Sequence, residues 1–194
     1  MTARRALGLA GALLLATPGA ALAGEGVLVA RQVEADRTTT MRHEVHVDAT
    51  PAEVWAAIST AEGWMTWAVP IAWMSKDDPD LIEAAYDRAS RPGAPDTIRQ
   101  RFTERVPGRR LAFRTVKAPA GFPHWDDYQK VTSLFEIEPA GEGARVRLTS
   151  RGYPDNPGGE ALLVFFEAGN RTTLENLRAR FATGPVDWDA KPRP

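Results

Sequence analysis

Hydrophobic and polar residues alternate strictly along Met41–Asp48. Met41, His43, Val45 and Val47 share one parity, and Arg42, Glu44, His46 and Asp48 share the other. A period of two is the mark of a strand with one buried face. The pattern returns at Ile98, Gln100 and Phe102 against Arg99, Arg101 and Thr103. It recurs at Phe135 and Ile137 against Glu136 and Glu138, and at Val146 and Leu148 against Arg145 and Arg147. Five or six strands are predicted beyond residue 70, over 71–74, 81–88, 97–106, 110–117, 131–138 and 144–151. Turn signals such as Asp77-Asp78-Pro79-Asp80, Arg91-Pro92-Gly93 and Val106-Pro107-Gly108 separate them. One wet and one dry face imply antiparallel pairing. Val27, Leu28 and Val29 are a further strand candidate whose register the pattern leaves open.

Between the first alternating strand and the later ones the period changes. Thr50-Pro51-Ala52-Glu53 reads as a capping box with proline in the first turn, opening a helix that carries Val54, Trp55 and Ile58 and stops near Ser59. A second short helix is predicted from Thr60, presenting Trp64 and Trp67 on neighbouring positions, with Pro70 ending it. Near the C-terminus, Asn156 and Pro157 open a long helix. Leu162, Phe166, Thr173, Leu174, Leu177 and Phe181 recur along it at helical spacing, and Gly184-Pro185 stops it. The expected architecture is α+β: a curved antiparallel sheet wrapped on a long C-terminal helix, with two short helices after the first strand. A long amphipathic helix laid across a concave sheet leaves room for a cavity between them.

Composition narrows the function classes. With 43% hydrophobic and 25% charged residues the chain is globular. Lys and Arg number 24 against 25 Asp and Glu, so there is no bulk attraction to nucleic acid. There are no cysteines, which excludes disulfides, thiolate metal sites and a cysteine nucleophile. At the N-terminus, Arg4 and Arg5 precede an unbroken run of Ala, Leu and Gly from Ala6 to Ala16, followed by Thr17-Pro18-Gly19 and Ala21-Leu22-Ala23. The run is about half of the roughly 20 apolar residues that a spanning helix needs. It is read as a cleaved export signal over residues 1–23, cut between Ala23 and Gly24, which places the mature protein in the periplasm or outside the cell. The remaining divisions are an N-terminal segment over 24–40, the domain over 41–183 and a flexible tail over 184–194, with Trp188 its candidate for docking.

The stretch Val45-His46-Val47-Asp48-Ala49-Thr50-Pro51-Ala52-Glu53-Val54-Trp55-Ala56-Ala57-Ile58 resembles the first strand and helix of the SRPBCC superfamily, the START-like, helix-grip fold. Within it the chain is similar to the family named after the activator of the ninety-kilodalton heat-shock protein's ATPase. Trp67, the hairpin from Phe135-Glu136-Ile137-Glu138-Pro139 to Gly143–Leu148, and Gly169, Leu174, Leu177 and Phe181 extend the likeness over residues 40–183. The sequence departs from that family in two places. Gly169 is followed by Asn170 rather than tryptophan, and the connection Lys117–Lys130 is long and holds Gly121-Phe122-Pro123-His124-Trp125-Asp126-Asp127-Tyr128. The resemblance implies the helix-grip fold and a cavity for a small hydrophobic or aromatic ligand, lipid-like or polyketide-like. It supplies no shared catalytic motif.

Trp64, Trp67, Phe102, Phe113, Trp125, Tyr128, Phe135 and Phe166 come from every element that would surround such a cavity. Together they are expected to line an aromatic pocket, with Gln100, His43, Ser133 and Thr173 as polar groups within it. Gly169 is expected either to leave room for the ligand against the last helix or to relieve packing there. The alternative is a cavity enzyme of cyclase or hydratase type using His124 or Asp127 as acid or base. A second alternative is a co-chaperone-like interaction protein, against which the export signal weighs. No cofactor or metal is expected: His43 and His46 face opposite sides of a strand, and Asp77, Asp78 and Asp80 form a solvated turn. Residues 88–114 carry eight arginines against Asp96 and Glu104. Arg99, Arg101 and Arg105 are expected on one strand face, either as its solvated side or as a weak contact for anionic envelope lipid.

Overall fold

The computed structural model describes residues 26–190, so the expected export signal and its cut before Gly24 lie outside the described residues. The chain runs β1 (Leu28–Val33), β2 (Thr39–Val47), α1 (Pro51–Ser59), α2 (Ala61–Trp64), β3 (Ile71–Met74), β4 (Leu81–Ala85), β5 (Ile98–Val106), β6 (Arg110–Lys117), α3 (Trp125–Tyr128), β7 (Thr132–Ala140), β8 (Gly143–Tyr153) and α4 (Pro157–Thr183). The strands form one eight-stranded antiparallel sheet in the order β1-β2-β8-β7-β6-β5-β4-β3. With α4 packed on β2 and β8, this is the helix-grip fold.

The locally encoded elements form as their residues dictate. Thr50 Oγ1 accepts from the Glu53 amide at 3.3 Å, and the Thr50 amide donates to Glu53 Oε2 at 2.8 Å, closing the capping box of α1. Thr60 then caps α2 by accepting from Gly63 N at 2.9 Å. Asn156 caps α4 through Gly159 N at 2.7 Å.

The N-terminal segment is more ordered than its composition implies. The candidate at Val27–Val29 becomes the six-residue edge strand β1, pairing Leu28 with Glu44 and Val33 with Thr39. Two strands, not one, therefore precede the short helices. Strand β4 ends at Ala85 instead of reaching Arg88, because the Asp87 side chain and carbonyl accept from Ala89 N and Ser90 N and start a turn. The tail expected to be loose is tied down through Asp189. Val186 N donates to Thr66 O at 2.9 Å, Trp188 Nε1 donates to Met65 O at 2.6 Å, and Asp189 pairs with Arg88.

Register sends the apolar parity to the concave face. There His43 opposes Leu148, Val45 opposes Val146, Phe135 opposes Leu148 and Leu111, and Phe102 opposes Phe113. The opposite parity places Glu44, Arg145, Arg147, Glu136 and Glu138 on the convex face, where Arg147 bonds Glu44 at 3.1 Å. A one-residue slip would bury these charges, so the pattern pins the pairing. A main core of Val45, Val47, Val54, Ile58, Trp67, Ile82, Phe102, Phe135, Leu174 and Leu177 fills one end of the concave face. A separate cluster of Met41, Val131, Tyr153, Leu162 and Leu163 fills the other.

Candidate functional site

The second cluster is where the long connection between β6 and β7 comes to rest. Its residues 125–128 form one helical turn, α3, entered through His124 in the left-handed region at φ 54°. From this turn the Tyr128 ring lies on Phe166 of α4, with centroids 4.6 Å apart and planes at 25°. Phe122 stands 5.2 Å from Tyr128 and 6.0 Å from Phe165. Trp125 stands 6.1 Å from Tyr128, and Tyr153 stands 6.4 Å from Phe166. Six rings from three separate segments thus meet at one end of the helix–sheet gap. Stacked and edge-on pairs at these distances contribute beyond simple area burial. Phe165 remains 58% exposed at the rim. Beside the rings runs a half-open groove of about 330 Å³, bounded by Val116–Pro119, Gly121, Phe122 and Trp125. That volume lies at the small end of the range for ligand sites.

Polar side chains continue from this cluster across the concave face. Tyr128 Oη and Thr115 Oγ1 are 3.0 Å apart, and Ser133 Oγ and Ser150 Oγ are 3.0 Å apart across β7 and β8. Burial pushes the Tyr128 and Tyr153 phenols up, so both remain protonated donors near neutral pH. Among the described residues five buried side-chain atoms have no hydrogen-bond partner, on His43, Gln100, Thr149, Asn170 and Arg180, and three of them bear on the site. The Gln100 Oε1, Asn170 Nδ2 and His43 Nδ1 atoms are buried, and no protein atom reaches them with a hydrogen bond. His43 is wholly buried, and its Nε2 lies 3.1 Å from the Glu167 carbonyl in the middle of α4. A carbonyl only accepts, so Nε2 carries the proton and Nδ1 presents a lone pair. Burial lowers the His43 pKa, which the Glu167 carbonyl partly offsets and Arg171 reinforces, so the ring is neutral. These three supply two orphan acceptors, on Gln100 and His43, and one orphan donor, on Asn170. An unsatisfied buried polar group costs about 1–3 kcal/mol, which a bound molecule would recover.

The expected aromatic pocket is divided. Trp125, Tyr128 and Phe166 meet as described, but Trp64 and Trp67 belong to the main core. The Trp67 indole, 2% exposed, donates to Ala57 O at 2.9 Å, and Trp64 donates to Ile58 O at 2.7 Å. The two indoles fasten α2 and the turn that follows it to α1 instead of standing at the mouth with Trp125. Phe102, Phe113 and Phe135 also lie with the main core, with Phe113 and Phe135 stacked at 5.9 Å. Thr173 turns its hydroxyl back to Gly169 O at 2.8 Å. Gly169 is exposed, and a Cβ there would touch nothing within 4 Å, so it relieves no packing.

His124 and Asp127 sit at the first turn of α4. Asp127 Oδ1 accepts from Lys130 Nζ at 3.0 Å and from Asn156 Nδ2 at 3.2 Å; the Lys130 and Asn156 bonds hold its carboxyl below the usual range. A Cβ on Gly158 would come within 2.3 Å of Asp127 Oδ2 and 3.1 Å of His124 Nδ1. The pair docks the connection on the helix start, where the dipole favours a carboxylate.

The three arginines do not share a face as expected. A bulge between Phe102 and Glu104 shifts the parity of β5, so Arg105 opposes the buried Leu111 and its guanidinium lies 5.1 Å from the Phe102 ring. Each is also engaged: Arg99 with Glu83 at 2.9 Å, Arg101 with Asp78 at 2.7 Å, and Arg105 with Asp80 at 3.5 Å and Ser59 O at 3.2 Å.

The sequence reading missed Phe165, Tyr153 and Asn170. Asn170 was detectable, because it falls four residues after Phe166 and four before Leu174 on the apolar stripe of α4.

Comparison with known proteins fits this geometry. The family described as polyketide cyclase / dehydrase and lipid transport matches residues 38–182. No curated protein matches the chain in sequence. Among solved structures, the Aha1 dimer from Colwellia psychrerythraea is similar at 14% identity with a TM-score of 0.57, over 75% of this chain and 97% of that one. CalU16 from Micromonospora echinospora is similar at 16% identity with a TM-score of 0.55, over 85% and 88%. DynU16, from the dynemicin biosynthetic locus, is similar at 18% identity with a TM-score of 0.56, over 75% of this chain and 48% of that one. At such identities the likeness shows the fold.

Proposed function

Because the chain belongs to the polyketide cyclase / dehydrase and lipid transport family, within the SRPBCC superfamily, we propose that it is an exported protein that binds a small hydrophobic or aromatic molecule between α4 and the concave sheet. The observation that carries this reading is the pairing of six aromatic rings with buried, unpartnered polar atoms on Gln100, His43 and Asn170. Apolar walls with a few polar groups suit a ligand that is mostly ring or chain and carries one or two oxygen functions.

Proton transfer through His124 or Asp127 draws no support from the geometry, since both face the start of α4 and Asp127 is engaged by Lys130 and Asn156. Binding without turnover is the better reading. The likeness to the Aha1 dimer carries the fold and gives a co-chaperone role no separate footing.

Two measurements test the proposal. Titrating a panel of fatty acids, sterols and aromatic polyketides should change tryptophan emission saturably and raise the melting temperature. A panel without effect on either overturns the binding reading. For export, intact-mass analysis of periplasmic protein should give a chain beginning at Gly24, and retention of residues 1–23 would refute it.

A further inference from the structure

Tyr128 is attached to the fold as a ligand would be. Its ring is held by Phe166 at 4.6 Å and by Phe122 and Trp125 at its flanks, and its hydroxyl meets Thr115 at 3.0 Å. The element that carries it is a single turn, whose amides bond back to His124 O and Trp125 O. That turn lies between two left-handed residues on one side, Gly121 at φ 80° and His124 at φ 54°, and Lys130 on the other. Beyond its rings, Asp127 accepts from Asn156 Nδ2, which ties the turn to the start of α4, and from Lys130 Nζ of the same connection. The groove of about 330 Å³ shares Phe122 and Trp125 with this cluster and is otherwise walled by Val116–Pro119 and Gly121.

One polar group at this place is left over. Thr115 opposes Gln100 on the neighbouring strand, and Gln100 Oε1 is buried with no donor. A hydroxyl can accept and donate at once, but the Tyr128 hydroxyl, where its tether holds it, meets Thr115 and does not reach Gln100 Oε1. The site is thus fitted to a phenol, and a free ring placed slightly differently could accept from Thr115 and donate the same O–H to Gln100.

We propose that Tyr128 is a built-in stand-in for the ligand, and that the site behind it takes a hydroxylated aromatic ring, stacked on Phe166 and hydrogen-bonded to Thr115 and Gln100. This rests on the binding reading above and specifies its ligand class and its gate. Tyr128 is a competitor that is always present at high effective concentration, so the protein holds its own phenol until a better one displaces it. Displacement swings the α3 turn outward about Gly121 and His124. The ring stack is replaced like for like, and the ligand gains the Gln100 bond that Tyr128 leaves unmade. A molecule with the same ring but no O–H gains the stack alone.

The test is calorimetric titration of the full mature chain with 2-naphthol and with its methyl ether, which keeps the rings and lacks the donor. Tyr128→Ala should bind 2-naphthol at least tenfold tighter than wild type and should prefer it to the ether. Adding Gln100→Leu should abolish that preference without weakening the ether. Tyr128→Phe retains the packing and loses the Thr115 bond, and it should tighten 2-naphthol about two- to tenfold. This variant decides the question if Tyr128→Ala does not fold. Equal affinities of wild type and both Tyr128 variants, or equal affinities for the two probes, would overturn the inference while binding itself stands. Absence of binding to every variant would overturn the binding reading and this inference together.

Discussion

Removing the charge of Glu83 should loosen the strap of chain that borders the groove. Glu83, 7% exposed on β4, accepts from Thr97 Oγ1, from Gly93 N at 2.7 Å and from Arg99 at 2.9 and 3.3 Å, with Lys117 Nζ 3.7 Å away. Lys117 also borders the groove, so one carboxylate joins the 87–97 loop, β5 and the groove wall. Glu83→Gln keeps the size and one accepting oxygen, but turns an amide donor toward donors. A charge-assisted bond contributes about 1.5–3 kcal/mol against about 1 for a neutral one, so losing the charge at several bonds costs about 2–3 kcal/mol. The 3–5 kcal/mol typical of breaking a fully buried pair is an upper bound, because the Arg99 side chain is a third exposed and relaxes into water. At about 2–4 °C per kcal/mol for a domain of this size, the melting temperature should fall by about 4–12 °C. Urea unfolding measures the same quantity, with Arg101→Gln as the contrast. That change breaks the pair with Asp78 near the surface and should cost at most about 1 kcal/mol. Burial alone would raise the Glu83 pKa, but bonds from Thr97, Gly93 and Arg99 outweigh it and the net shift is downward. Its contribution is therefore present above the unfolded carboxylate range and fades as pH falls through the lowered folded value. The penalty of Glu83→Gln should shrink in acid accordingly. A penalty within 0.5 kcal/mol of zero, on the order of routine surface changes, or one equal to that of Arg101→Gln, would refute the argument.

Three further outcomes are expected. His43 has a folded pKa below its ordinary 6.5, so the unfolded chain takes up the proton first and stability declines as pH falls below about that value. His43→Gln, which can still donate to Glu167 O, should flatten this slope in denaturant melts between pH 7 and 5, and an unchanged slope would exclude His43 as its source. Thr50→Ala removes the side-chain half of the α1 cap and should cost about 1 kcal/mol; a chemical melt indistinguishable from wild type would contradict the role of the cap. Gly158→Ala drives a methyl group against Asp127 and His124, and should lower stability by about 1–3 kcal/mol and expose the 118–130 connection to limited proteolysis. An unaltered cleavage pattern would show that the connection is not docked through this contact.

Much of the fold was legible because its signals are local. The Thr50–Glu53 box, the Asn156-Pro157 helix start and the alternation of β2, β7 and β8 each depend on residues a few positions apart. The strands at 71–74 and 110–117 form over those same residues. Gln100 and Phe166 could be singled out as candidates because they are polar or aromatic at positions that the pattern assigns to the interior, and Trp125 and Tyr128 because they cluster in the long connection Lys117–Lys130. The engagement of Arg99 could not, because its partner Glu83 lies sixteen residues away on another strand. The parity of Arg105 could not either, because a single bulged residue reverses it and leaves the composition of the strand unchanged.

Periodicity determined which side of each element is dry, and hence that a helix would lie on the concave face of an antiparallel sheet. It says nothing of which dry faces meet, since every apolar side chain offers the same non-directional attraction. The tertiary structure decided that. The point at which α4 crosses the sheet placed Leu174 and Leu177 over one cluster and Leu162 and Leu163 over another, parting Trp64 and Trp67 from Trp125. It also brought Tyr128, Thr115 and Phe166 together from three elements, through stacking and a hydrogen bond whose directions exist only after the chain has closed on itself.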